Sequence, residues 1–175
     1  MIGGEPNTVE LTFREITLEG LPAVKAMTEE TWHYSFARML PREQIEYMLS
    51  GLYSLERMRE ELKGGKVSYR FILYGEKRVG FCAFGPTSTQ GELRIHKLYI
   101  LPGYQKCGYG SLSLRRIEEL SKERGGSSLS LLVNKKNAGA IALYRKHGFV
   151  VCGSPCTDIG GGFEMDDYLM VKSLQ

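Results

Sequence analysis

Nothing in the 175-residue sequence approaches the run of about 20 apolar residues that a membrane-spanning helix needs. No membrane partner is therefore expected. The opening segment, MIGGEPNTVEL, has neither the basic flank nor the apolar core of a secretory signal. Charge of one sign is scarce too: 23 Lys and Arg against 20 Asp and Glu leave a formal net charge of +3. That excess is too small to argue for a nucleic-acid partner, although it suits a small anionic one. Cysteine is sparse, with Cys82, Cys107, Cys152 and Cys156 and no C-x-x-C pair. With no signal sequence, these read as reduced thiols in a cytoplasmic protein. Cys152 and Cys156 are close, but no Cys or His cluster accompanies them, so no metal site is expected. The chain shows no internal repeat, low-complexity tract or linker, and residues 1–175 read as one domain.

What is present is a change of period along the chain. Val9, Leu11 and Phe13 alternate with polar residues as a half-buried strand. A helix with Pro22 in its first turn follows, carrying Leu21, Val24, Thr28 and Thr31 on one stripe. The aromatic segment TWHYSFARMLP has no clean period. A helix from about Pro41 places Ile45, Met48, Leu49 and Leu52 inward. Ser54 caps another, with Leu55, Met58 and Leu62 inward, ended by Gly64-Gly65. Period two then takes over: 67–74 and 79–84 form a hairpin across GEKR, and Glu92 to Leu101 is a third strand. A helix runs from about Gly108 to Arg124. SLSLLV at 128–133 reads as a strand buried on both faces. NKKNAGAIALYRKHGF is helical up to Gly148. Segments 149–152 and 164–171 are final strands around a Gly-rich loop at 160–162. The order is β-α-α-α-β-β-β-α-β-α-β-β, an α/β (α+β) fold. Its single β-α-β-α stretch implies one right-handed parallel crossover.

The chain is organised around LYILPGYQKCGYG, residues 98–110. A strand ends at Pro102-Gly103, and a basic, glycine-rich turn delivers the chain to a helix N-terminus. Free backbone N–H groups and the helix dipole make such a place an anion cradle. Spacing decides which anion. Gly103 and Gly108 are spaced as in a P-loop, but Tyr109-Gly110 stands where Lys and Ser/Thr must be, so nucleotide hydrolysis is not expected. Gly108 and Gly110 begin G-x-G-x-x-G, but Ser113 holds the third place. No acidic ribose partner follows between Ser127 and Lys136.

Gln105-Lys106-Cys107-Gly108-Tyr109-Gly110 fits [RQ]-x-x-G-x-[GA], which resembles the acetyl-coenzyme A signature of the GNAT acyltransferase superfamily. About 30 residues on, NAGAIALYRKHGF resembles the same family's N-x-x-A-x-x-x-Y-x-x-x-G-F segment. The resemblance implies a mixed, mostly antiparallel sheet of about six to seven strands flanked by helices. It also implies an N-acetyltransferase using acetyl-CoA as acetyl donor, without a metal. The strand before the turn should splay from the next parallel strand. Backbone groups of Leu98, Tyr99 and Ile100 would then hold the pantetheine arm and polarise the carbonyl. The turn and helix start (Gln105, Lys106, Cys107, Gly108, Tyr109, Gly110, Ser111) would hold the pyrophosphate, with glycines admitting close approach. Lys106, Lys135 or Lys136 would serve the 3′-phosphate, and Asn137 the cofactor arm, with helix capping as its other role.

The resemblance makes Tyr144 the general acid, since a phenol of pKa about 10 keeps its proton at neutral pH. Glu92 and His96, or ordered water, are the candidate bases. Period two puts Glu92, Arg94, His96, Leu98 and Ile100 on one strand face. Cys107 lies at a helix N-terminus, where thiolate is favoured. Direct transfer in the family makes it a backbone contributor instead. His33 either lines the acceptor site or is structural. TWHYSFARMLPREQIEYMLSGLYSLERMREEL and MDDYLMVKSL resemble a bacterial subgroup that includes spermidine/spermine acetyltransferases. There, Glu29, Glu30, Glu43, Glu46, Asp166 and Asp167 would attract a small-molecule polyamine acceptor. A peptide or protein amine is the competing acceptor, and a non-catalytic acyl-CoA sensor is the alternative of another kind. A homodimer built from terminal strands is compatible with the resemblance.

Overall fold

The computed structural model describes residues 10–175, so Val9 of the expected first strand lies outside the described residues. The elements are β1 (Leu11–Glu15), α1 (Leu21–Thr31), α2 (Arg42–Ser50), α3 (Leu55–Lys63), β2 (Ser68–Tyr74), β3 (Lys77–Pro86) and β4 (Glu92–Ile100), then α4 (Tyr109–Glu123), β5 (Ser128–Asn134), α5 (Ala138–Lys146), β6 (Val150–Gly153), β7 (Cys156–Gly160) and β8 (Phe163–Ser173). The strands form one sheet in the order β1-β2-β3-β4-β5-β8-β6, with β7 paired to β8. Every pairing is antiparallel except β4 with β5, which is the crossover that the β-α-β order requires.

Eight strands stand where six to seven were expected. The extra one is β7, which pairs with the start of β8 through the turn at Gly160, Gly161 and Gly162. All three glycines have positive φ, so the tripeptide that looked like an open loop is a tight hairpin end. The hairpin is latched to α2. Tyr47 Oη donates to the Ile159 carbonyl at 2.8 Å, and Gln44 Nε2 donates to the Glu164 carbonyl at 2.8 Å. The aromatic segment without a period is a turn of π-helix, Trp32–Phe36, continuing α1. The wider winding puts Trp32 and Phe36 together on the inner side, rings stacked 4.3 Å apart.

Each face of the sheet is covered by its own helices. Leu114 and Ile117 of α4 and Ile141 of α5 pack with Val79, Cys82, Phe84, Leu93, Ile95, Leu129, Leu131 and Met170 on one face. On the other, Leu21 and Val24 of α1 and Met58 of α3 pack with Tyr69, Phe71, Leu73, Phe81 and Ala83. A third cluster, Trp32, Phe36, Leu40, Ile45, Met48 and Leu49, joins α2 to Tyr99, Ile159 and Met165. One expectation is corrected here and another qualified. Leu52 is exposed, because α2 stops at Ser50 and Gly51 turns the chain away. β5 is buried on both faces except at one position: Leu129, Leu131 and Val133 meet α4 and α5, Ser130 and Asn134 are buried on the other face, and Leu132 on that face is 47% exposed.

Candidate active site

β4 and β5 pair only from Glu92↔Ser128 to Ile95↔Leu131. Beyond that, β4 runs on to Ile100 and β5 to Asn134, each held by its other neighbour. The strands therefore part, and the backbone edge of 96–100 that faces β5 has no strand partner among the described residues. The parting coincides with an irregularity in β4: Lys97 is opposite Ala83 and Ile95 opposite Phe84, so His96 is an extra, bulged residue. The bulge overturns the single face expected for Glu92, Arg94, His96, Leu98 and Ile100. Glu92 and Arg94 lie on the α1–α3 face, where Ser130 Oγ donates to Glu92 Oε1 at 2.7 Å and receives Arg94 Nε at 3.1 Å. After the bulge, Leu98 and Ile100 face α4 and α5, while Lys97 and Tyr99 face α1–α3. One inserted residue exchanges the faces, because the side-chain period is two. His96 is exposed at the bulge, and Glu92 sits below the parting of the strands, occupied with Ser130 and Arg94.

The turn after β4 is an anion nest. Lys106 (φ 61°) and Gly108 (φ 83°) are left-handed, and Lys106 is alone in this among the described non-glycine residues. The N–H groups from 106 to 111 have no acceptor among the described residues, those of Tyr109, Gly110 and Ser111 being the open first turn of α4. The two glycines stand here for different reasons. A Cβ at Gly108 meets nothing within 4 Å, so backbone conformation selects glycine there. At Gly110 a Cβ would lie 3.2 Å from Leu143 Cδ2, so the close approach of α5 selects a small residue.

Gln105 braces this turn. Its Nε2 donates to the Ile100 carbonyl at 3.0 Å and to Ser35 Oγ at 3.1 Å, and its N–H donates to the Pro102 carbonyl. Ser111 Oγ is hydrogen-bonded to His147 Nε2, tying α4 to α5. Cys107 is exposed, its thiol 3.4 Å from the Gln105 carbonyl. Lys106 and Lys136 are exposed, with no ion pair among the described residues, whereas Lys135 is paired with Asp166. Asn137 caps α5, its Oδ1 accepting from Ala140 N at 3.2 Å.

Tyr144 projects from α5 edge-on to Phe149, ring centroids 5.7 Å apart, and its hydroxyl has no hydrogen-bond partner among the described residues. Burial pushes its phenol up to about 12. Tyr99, from β4, reaches the opposite side of the sheet, where its Oη donates to Tyr53 Oη at 3.3 Å. Burial is the main cause raising Tyr99 well above its ordinary value, and its neighbour Tyr53 adds to it. His96 is pushed below its ordinary value by desolvation first, then by Lys97; Glu61 opposes them.

One buried residue carried no signal in the sequence motifs. Lys97 is 7% exposed and donates to Glu61 Oε2 at 2.9 Å and to Tyr69 Oη at 2.8 Å, fastening β4 to α3. Lys97 directly precedes the apolar run 98–101, and nothing local marks it as buried. Asp167 is also buried. The other acidic residues expected to draw a polycation are largely engaged or peripheral. Glu29 pairs with Lys25, Glu46 with His33 and Asp166 with Lys135, while Glu30 and Glu43 are exposed. His33 lines an outer groove with Ala37, Leu40, Arg42 and Ile45.

Residues 24–149, well over half the chain, match the acetyltransferase (GNAT) family. The chain belongs to that family. A relative, the spermidine N(1)-acetyltransferase of Thermoplasma acidophilum, is 24% identical over 147 residues, 82% of this chain and 90% of that one. The PaiA N-acetyltransferase of the same organism, solved in complex with coenzyme A, superposes with a TM-score of 0.77 at 22% identity, covering 94% of this chain and 99% of that one. The ribosomal-protein-S18-alanine N-acetyltransferase of Escherichia coli has the same fold, with a TM-score of 0.70 at 19% identity over 95% of each chain. As a GNAT acetyltransferase, the chain is an acetyl-CoA-dependent N-acetyltransferase.

Proposed function

We propose that this GNAT enzyme acetylates a small primary amine, a polyamine in particular, by direct attack on the thioester, with Tyr144 as the general acid. The observation that carries the reading is the parting of β4 and β5 directly before an unpaired anion nest, with Tyr144 packed in the same cluster as Leu98 and Ile100 and its hydroxyl unengaged among the described residues. A pyrophosphate suits the open N–H groups of 106–111, and a pantetheine arm suits the unpaired edge of 96–100. Bound there, acetyl-CoA supplies the activated acetyl group. The chain's own part is to polarise the carbonyl with backbone N–H groups, to take a proton from the ammonium, and to offer one to the departing sulfur. Similarity to a protein named spermidine N(1)-acetyltransferase supports the polyamine.

A panel of amines scored for release of free CoA tests the acceptor. Turnover of polyamines supports the reading, turnover of peptide amines alone replaces it, and no turnover with acetyl-CoA still raising Tm makes the protein a sensor.

Gly108→Ala forces a side chain into a left-handed conformation at a cost of about 1–2 kcal/mol. Gly110→Ala needs only a small shift at the end of Leu143. Titration calorimetry should therefore show acetyl-CoA affinity reduced about tenfold by the first and little by the second. Equal losses would remove the nest as the phosphate site.

Of the two candidate carboxylate and imidazole bases, we favour His96, which lies at the strand parting, over Glu92. A base must be deprotonated to act, which for His96 means the neutral imidazole, and activity falls as pH drops through its pKa. With His96 held below its ordinary value of 6.5, the acid limb of kcat should lie below pH 6.5. His96→Gln should abolish that limb; a limb that persists unchanged passes the role to water.

A further inference from the structure

Asp167 lies on β8 opposite Asn134 of β5, at the far end of the diverging strands. Tyr168 and Met170 face α4 and α5, so Asp167 and Met165 share the opposite face, where Met165 packs against the aromatic cluster. Asp167 is 9% exposed, and its Oδ1 is fully buried with no hydrogen-bond donor. The cation nearest in sequence register, Lys135, is taken by Asp166. Among the described residues Asp167 has no ion pair.

A carboxylate held out of water without a counter-ion is a standing cost that a docked cation removes. Its surroundings suit an amine on an alkyl chain. Trp32, Phe36, Tyr53 and Tyr99 form an aromatic floor, with Trp32 and Tyr53 ring centroids 4.7 Å apart. The buried Trp32 indole N–H has no hydrogen-bond partner among the described residues either. The Asp167 charge reaches this floor: Tyr53 is raised by burial first and by Asp167 after it, against the hydrogen bond from Tyr99. Burial, then Asp166, raises Asp167 itself, and Lys135, though paired with Asp166, opposes them. Counting along β5, Asn134 stands three residues, about 10 Å, beyond the last β4–β5 pair.

We propose that Asp167 is a specificity-determining residue: its carboxylate receives the second ammonium group of a di- or polyamine while the first is presented to the thioester where β4 and β5 part. The proposal rests on the amine-acetyltransferase reading above and names the part of the acceptor that the reading leaves unplaced. It needs no change in the cofactor half of the site, which lies on the other face of the sheet.

Steady-state kinetics with putrescine and with n-butylamine, an alkyl chain of the same length bearing one amine, tests it. The wild type should prefer putrescine in kcat/KM by about tenfold or more, and Asp167→Asn should raise the putrescine KM by about 10–100-fold. Its kcat, its n-butylamine kinetics and its acetyl-CoA KM should stay within about twofold of wild type. Equal use of the two amines by the wild type overturns the proposal without any variant. So does an unaltered putrescine KM in Asp167→Asn, or an equal loss for both amines. Turnover of neither amine by a wild type that still binds acetyl-CoA removes the amine reading itself, and Asp167's role with it. The acetyl-CoA-induced rise in Tm reports that the variant is folded.

Discussion

Tyr144→Phe is expected to lower kcat by about a hundredfold, with acetyl-CoA affinity and Tm close to wild type. The substitution keeps the ring and its edge-on contact with Phe149. It removes a hydroxyl that no described residue bonds, so no donor or acceptor is orphaned. What is lost is proton donation. General acids contribute about 10²–10⁴-fold, and the pKa decides where in that range Tyr144 falls. Burial pushes the phenol up to about 12, so its proton is fully present at neutral pH. The departing thiol has a pKa of about 8.5. Complete transfer from the phenol to that sulfur is therefore uphill, and donation acts mainly as a hydrogen bond to the developing thiolate. That places the effect at the lower end of the range, as a kcat loss without a KM change. An unchanged kcat in Tyr144→Phe would remove it as the acid.

The geometry proposed for the cofactor half of the site was legible in the sequence because it is built from local chemistry. A strand, a break, a left-handed turn and a helix start follow one another within residues 98–110, and each leaves its mark in residue type. The second motif, around Asn137 and Tyr144, is legible for the same reason. The acceptor half is assembled from segments far apart in sequence. Asp167 is one of two adjacent aspartates, and nothing local tells which of them is buried. Tyr47 marks β7 only through its bond to Ile159, 112 residues away. The bulge at His96 hides from a period-two count, because an extra residue becomes visible only against the partner strand. That one residue exchanged Leu98 and Ile100 for Lys97 and Tyr99 on the acceptor face, and so brought the buried Lys97 there.

The largest effect on stability is expected at Glu61. Its carboxylate receives Lys97 Nζ at 2.9 Å and Tyr69 Oη at 2.5 Å, and Arg57 adds a contact at 3.6 Å. Burial opposes the charge on Glu61, but Lys97 and Tyr69 outweigh it and hold the carboxyl below its ordinary range. Burial acts the opposite way on Lys97, whose ammonium is depressed despite Glu61. The hydrogen bond to the carboxylate opposes that depression, so the buried ammonium depends on Glu61. Glu61→Leu leaves the ammonium buried with a lone phenol. Removing one partner of a buried pair costs about 3–5 kcal/mol. The lower end applies, because the Glu61 side chain is 21% exposed. For a chain of this size about 3 kcal/mol corresponds to a fall in Tm of about 6–12 °C. The double substitution Glu61→Leu with Lys97→Met removes both charges and should recover most of it; a double variant no more stable than Glu61→Leu would refute the pairing. The pH dependence has a definite sign. A lowered carboxyl pKa gives stability that is fully present above the unfolded value of about 4.3 and is lost as pH falls through the folded pKa. Wild type should lose this contribution in acid, and Glu61→Leu should show no corresponding acid loss. Lys97 also lies over the Tyr53 ring, 5.5 Å from its centroid, so the pair holds the aromatic floor as well as α3. At temperatures where Glu61→Leu remains folded, the amine KM should therefore rise while acetyl-CoA affinity, set on the other face of the sheet, does not.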